Sequence, residues 1–146
     1  MSATPRPVVN ATTVDVAADT ETPPGFRTRY RQLGPLLGSE LLDATVYEFD
    51  PGERNGPYHY EIGNEECLLV LAGTPTLRHP AGREVLEVGA MVVFPDGPDG
   101  AHQLINESTT VAGADPVDHA GAVRMRVSGQ RQTVDPGRHL PACRDS

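Results

Sequence analysis

Residues 57–73 read Pro57-Tyr58-His59-Tyr60-Glu61-Ile62-Gly63-Asn64-Glu65-Glu66-Cys67-Leu68-Leu69-Val70-Leu71-Ala72-Gly73. Cys67 to Ala72 are all apolar, and Gly73 ends the run. So short an apolar stretch, stopped by glycine, suits a strand buried on both faces. Upstream, His59 and Glu61 lie two apart. In a strand that spacing puts both on one face and Tyr58 and Tyr60 on the other.

Working outward, the same texture continues on both sides. Leu41–Asp50 alternates Ala44, Val46 and Glu48 with Thr45, Tyr47 and Phe49 until Pro51-Gly52 stops it, which predicts a strand. Phe26–Arg31 and Tyr58–Glu61 are shorter strand candidates. Thr76–Arg78 and Arg83–Leu86 flank Pro80-Ala81-Gly82, a hairpin signal. Met91–Phe94 reads as a buried strand ended by Pro95, Asp96–Gly100 is turn chemistry, and Gln103–Ile105 resumes a strand into Asn106. Some six short strands over 41–106, with no convincing long helix, predict an all-β sandwich or barrel. Residues 1–25 are rich in Thr, Pro, Ala and Asp, with Pro23-Pro24-Gly25 as a turn signal. They read as a flexible N-terminal arm with one short edge strand at Pro7–Val9.

Composition narrows the function classes. The chain has 146 residues, 38% of them apolar and 5% aromatic, so one modest core in one domain is the expectation. Gly (15) and Pro (14) suit short strands and many turns. A formal net charge of −8 repels phosphate backbones, which argues against nucleic acid as a partner. Met1–Asn10 lacks the apolar core of a signal peptide, and no apolar stretch is long enough to cross a membrane. A soluble cytoplasmic protein is therefore the expectation. Cys67 sits in the apolar run and reads as a small core residue. Neither it nor Cys143, the second cysteine, belongs to a C-x-x-C pair; the two leave room for one disulfide but form no disulfide framework.

Gly52, His59, Glu66 and Gly73 resemble the first motif of the cupin family, G-x(5)-H-x-H-x(3,4)-E-x(6)-G. Gly89, Pro95-Asp96-Gly97, His102 and Asn106 resemble the second, G-x(5)-P-x-G-x(2)-H-x(3)-N. The resemblance covers roughly residues 26–106 and implies a double-stranded β-helix, or jelly-roll barrel, with its core over 26–109. It implies a divalent metal inside the barrel, held by His59, Glu61, Glu66 and His102, beside a pocket for a small-molecule ligand. Three departures stand out. One extra residue separates Gly52 from His59. Four residues rather than two separate Gly97 from His102. Glu61 replaces the second histidine of the first motif. Two carboxylates harden the donor set, which favours Mn or Fe and leaves Zn and Ni possible. Taken singly, His59 beside Pro57 is a loop histidine, Glu61, Glu65 and Glu66 are a solvated acidic patch, and His102 closes a turn. In motif register the metal reading wins. Glu66 is preferred to Glu65 by its six-residue spacing to Gly73. Tyr58 and Tyr60 read as packing residues on the far face.

The resemblance implies a metal-dependent enzyme acting on a small organic molecule, such as an oxygenase or isomerase. The alternative is a non-catalytic binding or sensing cupin. Cupins often pair through outer strands, and the two apolar faces of 67–72 predict a homodimer. Residues 110–146 form an atypical tail, polar and Arg-rich, with one strand-like stretch at Val123–Val127. The resemblance implies further apolar closing strands there, and they are missing. Read one base later, suitable codons for Ala114–His139 spell L-I-L-S-T-M-R-E-P-S-V-C-V-Y-P-D-S-G-K-L-W-T-P-G-D. Two readings follow: a tail frameshifted from roughly Thr110 onward, or a divergent but genuine C-terminus with one strand at Val123–Val127.

Overall fold

The computed structural model describes residues 4–108 and 120–127. The strands are β1 (Ala17–Ala18), β2 (Arg29–Gln32), β3 (Leu42–Phe49), β4 (Glu66–Ala72), β5 (Thr76–His79), β6 (Gly82–Val85), β7 (Met91–Phe94), β8 (Gln103–Ile105) and β9 (Ala120–Val127). One helical turn, α1 (Gly34–Leu37), and one 3-10 turn, η1 (Pro98–Gly100), interrupt them. They form a six-stranded sheet, ordered β1-β2-β3-β9-β4-β7, and a three-stranded sheet, ordered β6-β5-β8. All the ladders are antiparallel. This is the jelly-roll architecture, not closed into one continuous ladder among the described residues.

Alternation along β4 sets the layers. Glu66, Leu68 and Val70 are buried, while Cys67, Leu69 and Leu71 are half-buried. Leu68 and Val70 join Phe49, Leu77, Leu86, Phe94 and Leu104 in the core between the sheets. Val46 on the outer face of β3 and Leu33 form a second cluster, against which Val9, Ala11, Val14, Val16, Ala44 and Leu71 pack. The arm thus covers part of the outer face. Arg29 holds β2 to β3 by donating to both Asp50 oxygens (3.1 and 3.0 Å) and to Glu48 (3.4 Å). The hydrogen bond to Asp50 raises its pKa above the ordinary arginine value.

Several expectations need correcting. Pro7–Val9 is in no strand; the edge position belongs to Ala17–Ala18, paired with β2. Tyr58–Glu61 is not a strand but a single bridge, His59 opposite His102, because Gly56-Pro57 and Gly63 leave too little extended chain on either side. β7 is not buried on both faces: Met91 is 61% and Val93 55% exposed, since β7 is the edge of its sheet and no arm covers it. Cys67 points with them to the outer face and is only half-buried. Tyr58 and Tyr60 are exposed rather than packed.

Asn106, the last residue of the second motif, clips the turn after β3. Its Nδ2 donates to the Phe49 carbonyl (3.0 Å), its carbonyl accepts from Gly52 N–H (2.8 Å), and its own N–H donates to Glu53 (3.0 Å). Gly52 has φ 86, a conformation that tightens the turn and suits glycine. Replacing Asn106 by Ala removes the only side-chain donor among these bonds and leaves a buried carbonyl short of a partner. The expected loss is about 1–3 kcal/mol, read as a lower midpoint in urea unfolding with unchanged slope.

Candidate metal centre

His59 and His102 come from segments 43 positions apart, yet the backbone locks them face to face. His59 N–H donates to the His102 carbonyl (3.2 Å), and His102 N–H donates to the His59 carbonyl (2.9 Å). Residues directly opposite in an antiparallel pair carry their side chains on the same side. The rings lie 4.8 Å apart, centroid to centroid.

Each ring is then oriented in the same way. His59 Nδ1 lies 2.9 Å from the Pro57 carbonyl and His102 Nδ1 lies 2.8 Å from the Gly100 carbonyl. A carbonyl only accepts, so each Nδ1 carries the proton and Nε2 keeps its lone pair. That is the tautomer a metal ligand needs. Phe94 stacks on His102 at 3.6 Å with the planes 7° apart, and fixes the ring plane.

Glu66 is delivered by β4, where it pairs with Phe94 on β7. It shares the inner face with Leu68 and Val70, whereas Glu65 is exposed. Its Oε2 is 3.4 Å from His102 Nε2, and the two side chains are 2% and 1% exposed. His59, Glu66 and His102 offer donor atoms that all lie within 4.8 Å of one another. Tetrahedral donors about 2.1 Å from an ion sit roughly 3.4 Å apart. The trio therefore fits a small divalent cation after a modest closing movement. Its donor set, two neutral imidazoles and one carboxylate, is also chemically apt.

The structure does not bring Glu61 into this group. Its Oε1 lies 4.0 Å from His59 Nε2, at the more exposed side of the cluster. Its backbone has a structural task instead, accepting from Gly97 N–H (2.8 Å). Asp96 Oδ1 accepts from Gly63 N–H (2.8 Å), so the loop before η1 is tied at two points to the loop after His59. The extra residues of the second motif are taken up by η1. Phe94 and Gly100 were not singled out as site residues, because their roles depend on register and on a close backbone approach.

Beside His59 opens a cavity of about 520 Å³, lined by Tyr58, His59, Tyr60, Pro80, Pro98 and Ala101. His59 is 28% exposed, so it forms the approach to the otherwise buried pair. Arg78 lies 4.4 Å over the Tyr58 ring at one wall. His79 is on the surface, 3.5 Å from Glu84. His119, His139 and Cys143 lie outside the described residues. No helix among the described residues is long and apolar enough to cross a membrane.

Residues 45–113 match the family model of the cupin domain. Among solved structures, the chain is similar to a candidate sugar phosphate isomerase from Acidithiobacillus ferrooxidans: 20% identity, TM-score 0.69, covering 84% of this chain and 76% of that one. It is similar to a sugar phosphate isomerase of the cupin superfamily from Silicibacter pomeroyi, with 17% identity, TM-score 0.68 and the same coverage. It also resembles a predicted oxalate decarboxylase from Thermotoga maritima: 14% identity, TM-score 0.63, covering 82% and 97%. At these identities the likeness is one of fold. No curated protein matches the chain.

Gly100 gives a direct check on how the cluster is held. A Cβ there would lie 1.9 Å from the Pro95 carbonyl oxygen. Gly100→Ala must push η1 away and with it the carbonyl that orients His102. The expected cost is about 1–3 kcal/mol of stability, measured by thermal melting, with loosening of the His102 ring seen as broadened imidazole resonances in NMR.

Proposed function

We propose that this chain, whose residues 45–113 match the cupin-domain model, is a metal-dependent enzyme acting on a small organic molecule. The observation that carries this reading is the convergence of His59, Glu66 and His102, with both imidazoles presenting Nε2. Two imidazoles and one carboxylate leave coordination positions open and suit Fe(II) or Mn(II), with Zn and Ni also compatible. A divalent ion held there supplies Lewis-acid polarisation of a substrate oxygen and a template for its orientation. Glu61 is the fourth donor of the proposed set and reaches the group only by turning its side chain inward.

The chain's own residues account for the rest. Phe94 and the Gly100 and Pro57 carbonyls hold the rings in place before any ion arrives. Tyr58, Tyr60 and Pro98 line the cavity, and His59 belongs both to that lining and to the donor cluster. Sugar phosphates and oxalate, named for the structural neighbours, are oxygen-rich molecules able to chelate a metal. A polyoxygenated substrate of that size is the class proposed for this cavity. The second reading, a non-catalytic binding or sensing cupin, is favoured by one observation: only three of the four expected donors converge. The protein is proposed to work in the cytoplasm.

Elemental analysis after anaerobic loading with Fe(II) or Mn(II) decides the first point. The expected result is close to one ion per chain, lost in His59→Ala and in His102→Ala. Glu61→Gln should weaken binding by about tenfold, the lower end of what a metal-supporting group contributes. A chain that stays metal-free after loading overturns the enzyme reading in favour of the binding module.

We also propose a homodimer through β7. Among the described residues this strand ends its sheet, with no ladder on one backbone edge and with Met91 and Val93 exposed beside the half-buried Cys67 and Leu69. An antiparallel β7–β7 contact about a two-fold axis is self-complementary and would cover both features. Light scattering at micromolar concentration should give twice the chain mass, and Val93→Asp should return it to one. A monomeric parent chain would count against the contact.

A further inference from the structure

β9 fills the place between β3 and β4, and its register carries a chemical conflict. The core-facing positions of β3 are Asp43, Thr45, Tyr47 and Phe49, and those of β4 are Glu66, Leu68 and Val70, by the period of two that contains Phe49 and Leu68. Across the two ladders those positions meet Ala120, Ala122, Arg124 and Arg126. Arg124 is opposite both Thr45 and Leu68; Arg126 is opposite both Asp43 and Glu66. Val123 and Met125 fall on the outer positions, opposite Val46 and Leu69, and Ala44 and Cys67. Leu68 has no exposed surface and Thr45 is 6% exposed. A slot between two such residues calls for an apolar side chain, because an unpaired charge there is costly. Position 126 is in register with Asp43 and Glu66, whereas position 124 is in register with no acidic residue. The ladders thus assign arginine to two positions that the sequence pattern of β3 and β4 reserves for apolar residues, as a one-residue slip does. Here the slip cannot be repaired by sliding, since the outer positions are apolar for the outer cluster as well.

We propose that the chain from about residue 110 onward is translated out of frame, and that the strand belonging between β3 and β4 is encoded one base on. The genetic code makes the consequence specific. Every arginine codon has G in its middle position, so one base on each begins with G. At positions 124 and 126, followed by the first bases of Met125 and Val127, the shifted codons yield Val, Ala, Gly or Glu, and never Arg. The string compatible with the rest of Ala114–His139 has Leu-Ile-Leu at 114–116, Arg-Glu-Pro-Ser at 120–123 and Val at both 124 and 126, so its apolar strand is the 114–116 stretch and the present β9 register is not carried over unchanged. Its Cys at position 125 is forced wherever Met125 is followed by a CGN codon. The abrupt loss of apolar residues after Ile105 has the same origin. One consequence rests on the metal reading above: restoring the frame removes a cation from the position opposite Glu66 and should tighten metal binding.

The test begins with the coding DNA. The expected result is an open frame one base on across the codons of Ala114–His139 that spells the apolar string. A stop codon in that frame, or a polar string, overturns the proposal. Both chains are then expressed. The frame-restored chain should melt cooperatively at a higher temperature and protect the amides of its strand beside β4. Arg124→Val with Arg126→Val in the present chain should recover part of that gain. A restored chain no more stable than the present one counts against the frame. A restored chain that is stable but takes up no Fe(II) or Mn(II) leaves the frame proposal standing and removes the metal reading.

Discussion

Two peptide groups, those of His59 and His102, exchange hydrogen bonds across a single antiparallel bridge, and the chemistry of the molecule is arranged around that exchange. It is a backbone contact, so it is indifferent to side-chain identity, but it forces the two imidazoles to one side. The carbonyls of Pro57 and Gly100, each two residues upstream of its histidine, then select the tautomer. Because the orienting groups are themselves backbone, the rings are set by the fold and not by other side chains that must first be placed. Phe94 adds a flat surface against which the His102 ring cannot tilt. A donor set prepared in this way would take up an ion without first having to order its own imidazoles.

The same economy explains the tightness around η1. The turn that brings His102 to the bridge passes so close to Pro95 that no Cβ fits at Gly100. It is stitched to the His59 loop through Gly97 with Glu61 and through Asp96 with Gly63. Asn106 closes the other end by clipping the turn at Gly52. The motif glycines and the motif asparagine are thus mechanical parts, while Glu66 and the histidines are chemical ones. The electrostatic asymmetry follows from burial. Glu66 and His102 are sealed in, whereas His59 and Glu61 are partly exposed and His59 lines the cavity.

Much of this was legible beforehand. The β3, β4, β7 and β8 strands and the β5–β6 hairpin follow from alternation, short apolar runs and Pro-Gly punctuation, which are local signals. Glu66 over Glu65 was legible too, from its six-residue spacing to Gly73, and its burial on the face of β4 that carries Leu68 and Val70 agrees with that reading. The jelly roll itself came from two spaced motifs. Burial on the outer side was harder to read. A continuous apolar run does not say which of its faces another element covers, so Cys67 and β7 were read as more buried than they are. The arm covers Val46 and Leu71 but stops short of Met91 and Val93.

By itself the sequence determined the fold class, the residue types able to hold a metal and the order in which strands occur, because these depend on period, turn chemistry and donor identity within a few residues. Only the tertiary structure decided which donors meet. Glu61 is two residues from His59 and in strand register with it, yet the chain leaves extended geometry just after the bridge, and its carboxylate stands apart from Glu66 and His102. The structure also decided that positions 124 and 126 stand in register with inward-facing residues of β3 and β4, because register between distant strands is a property of pairing and not of either strand alone.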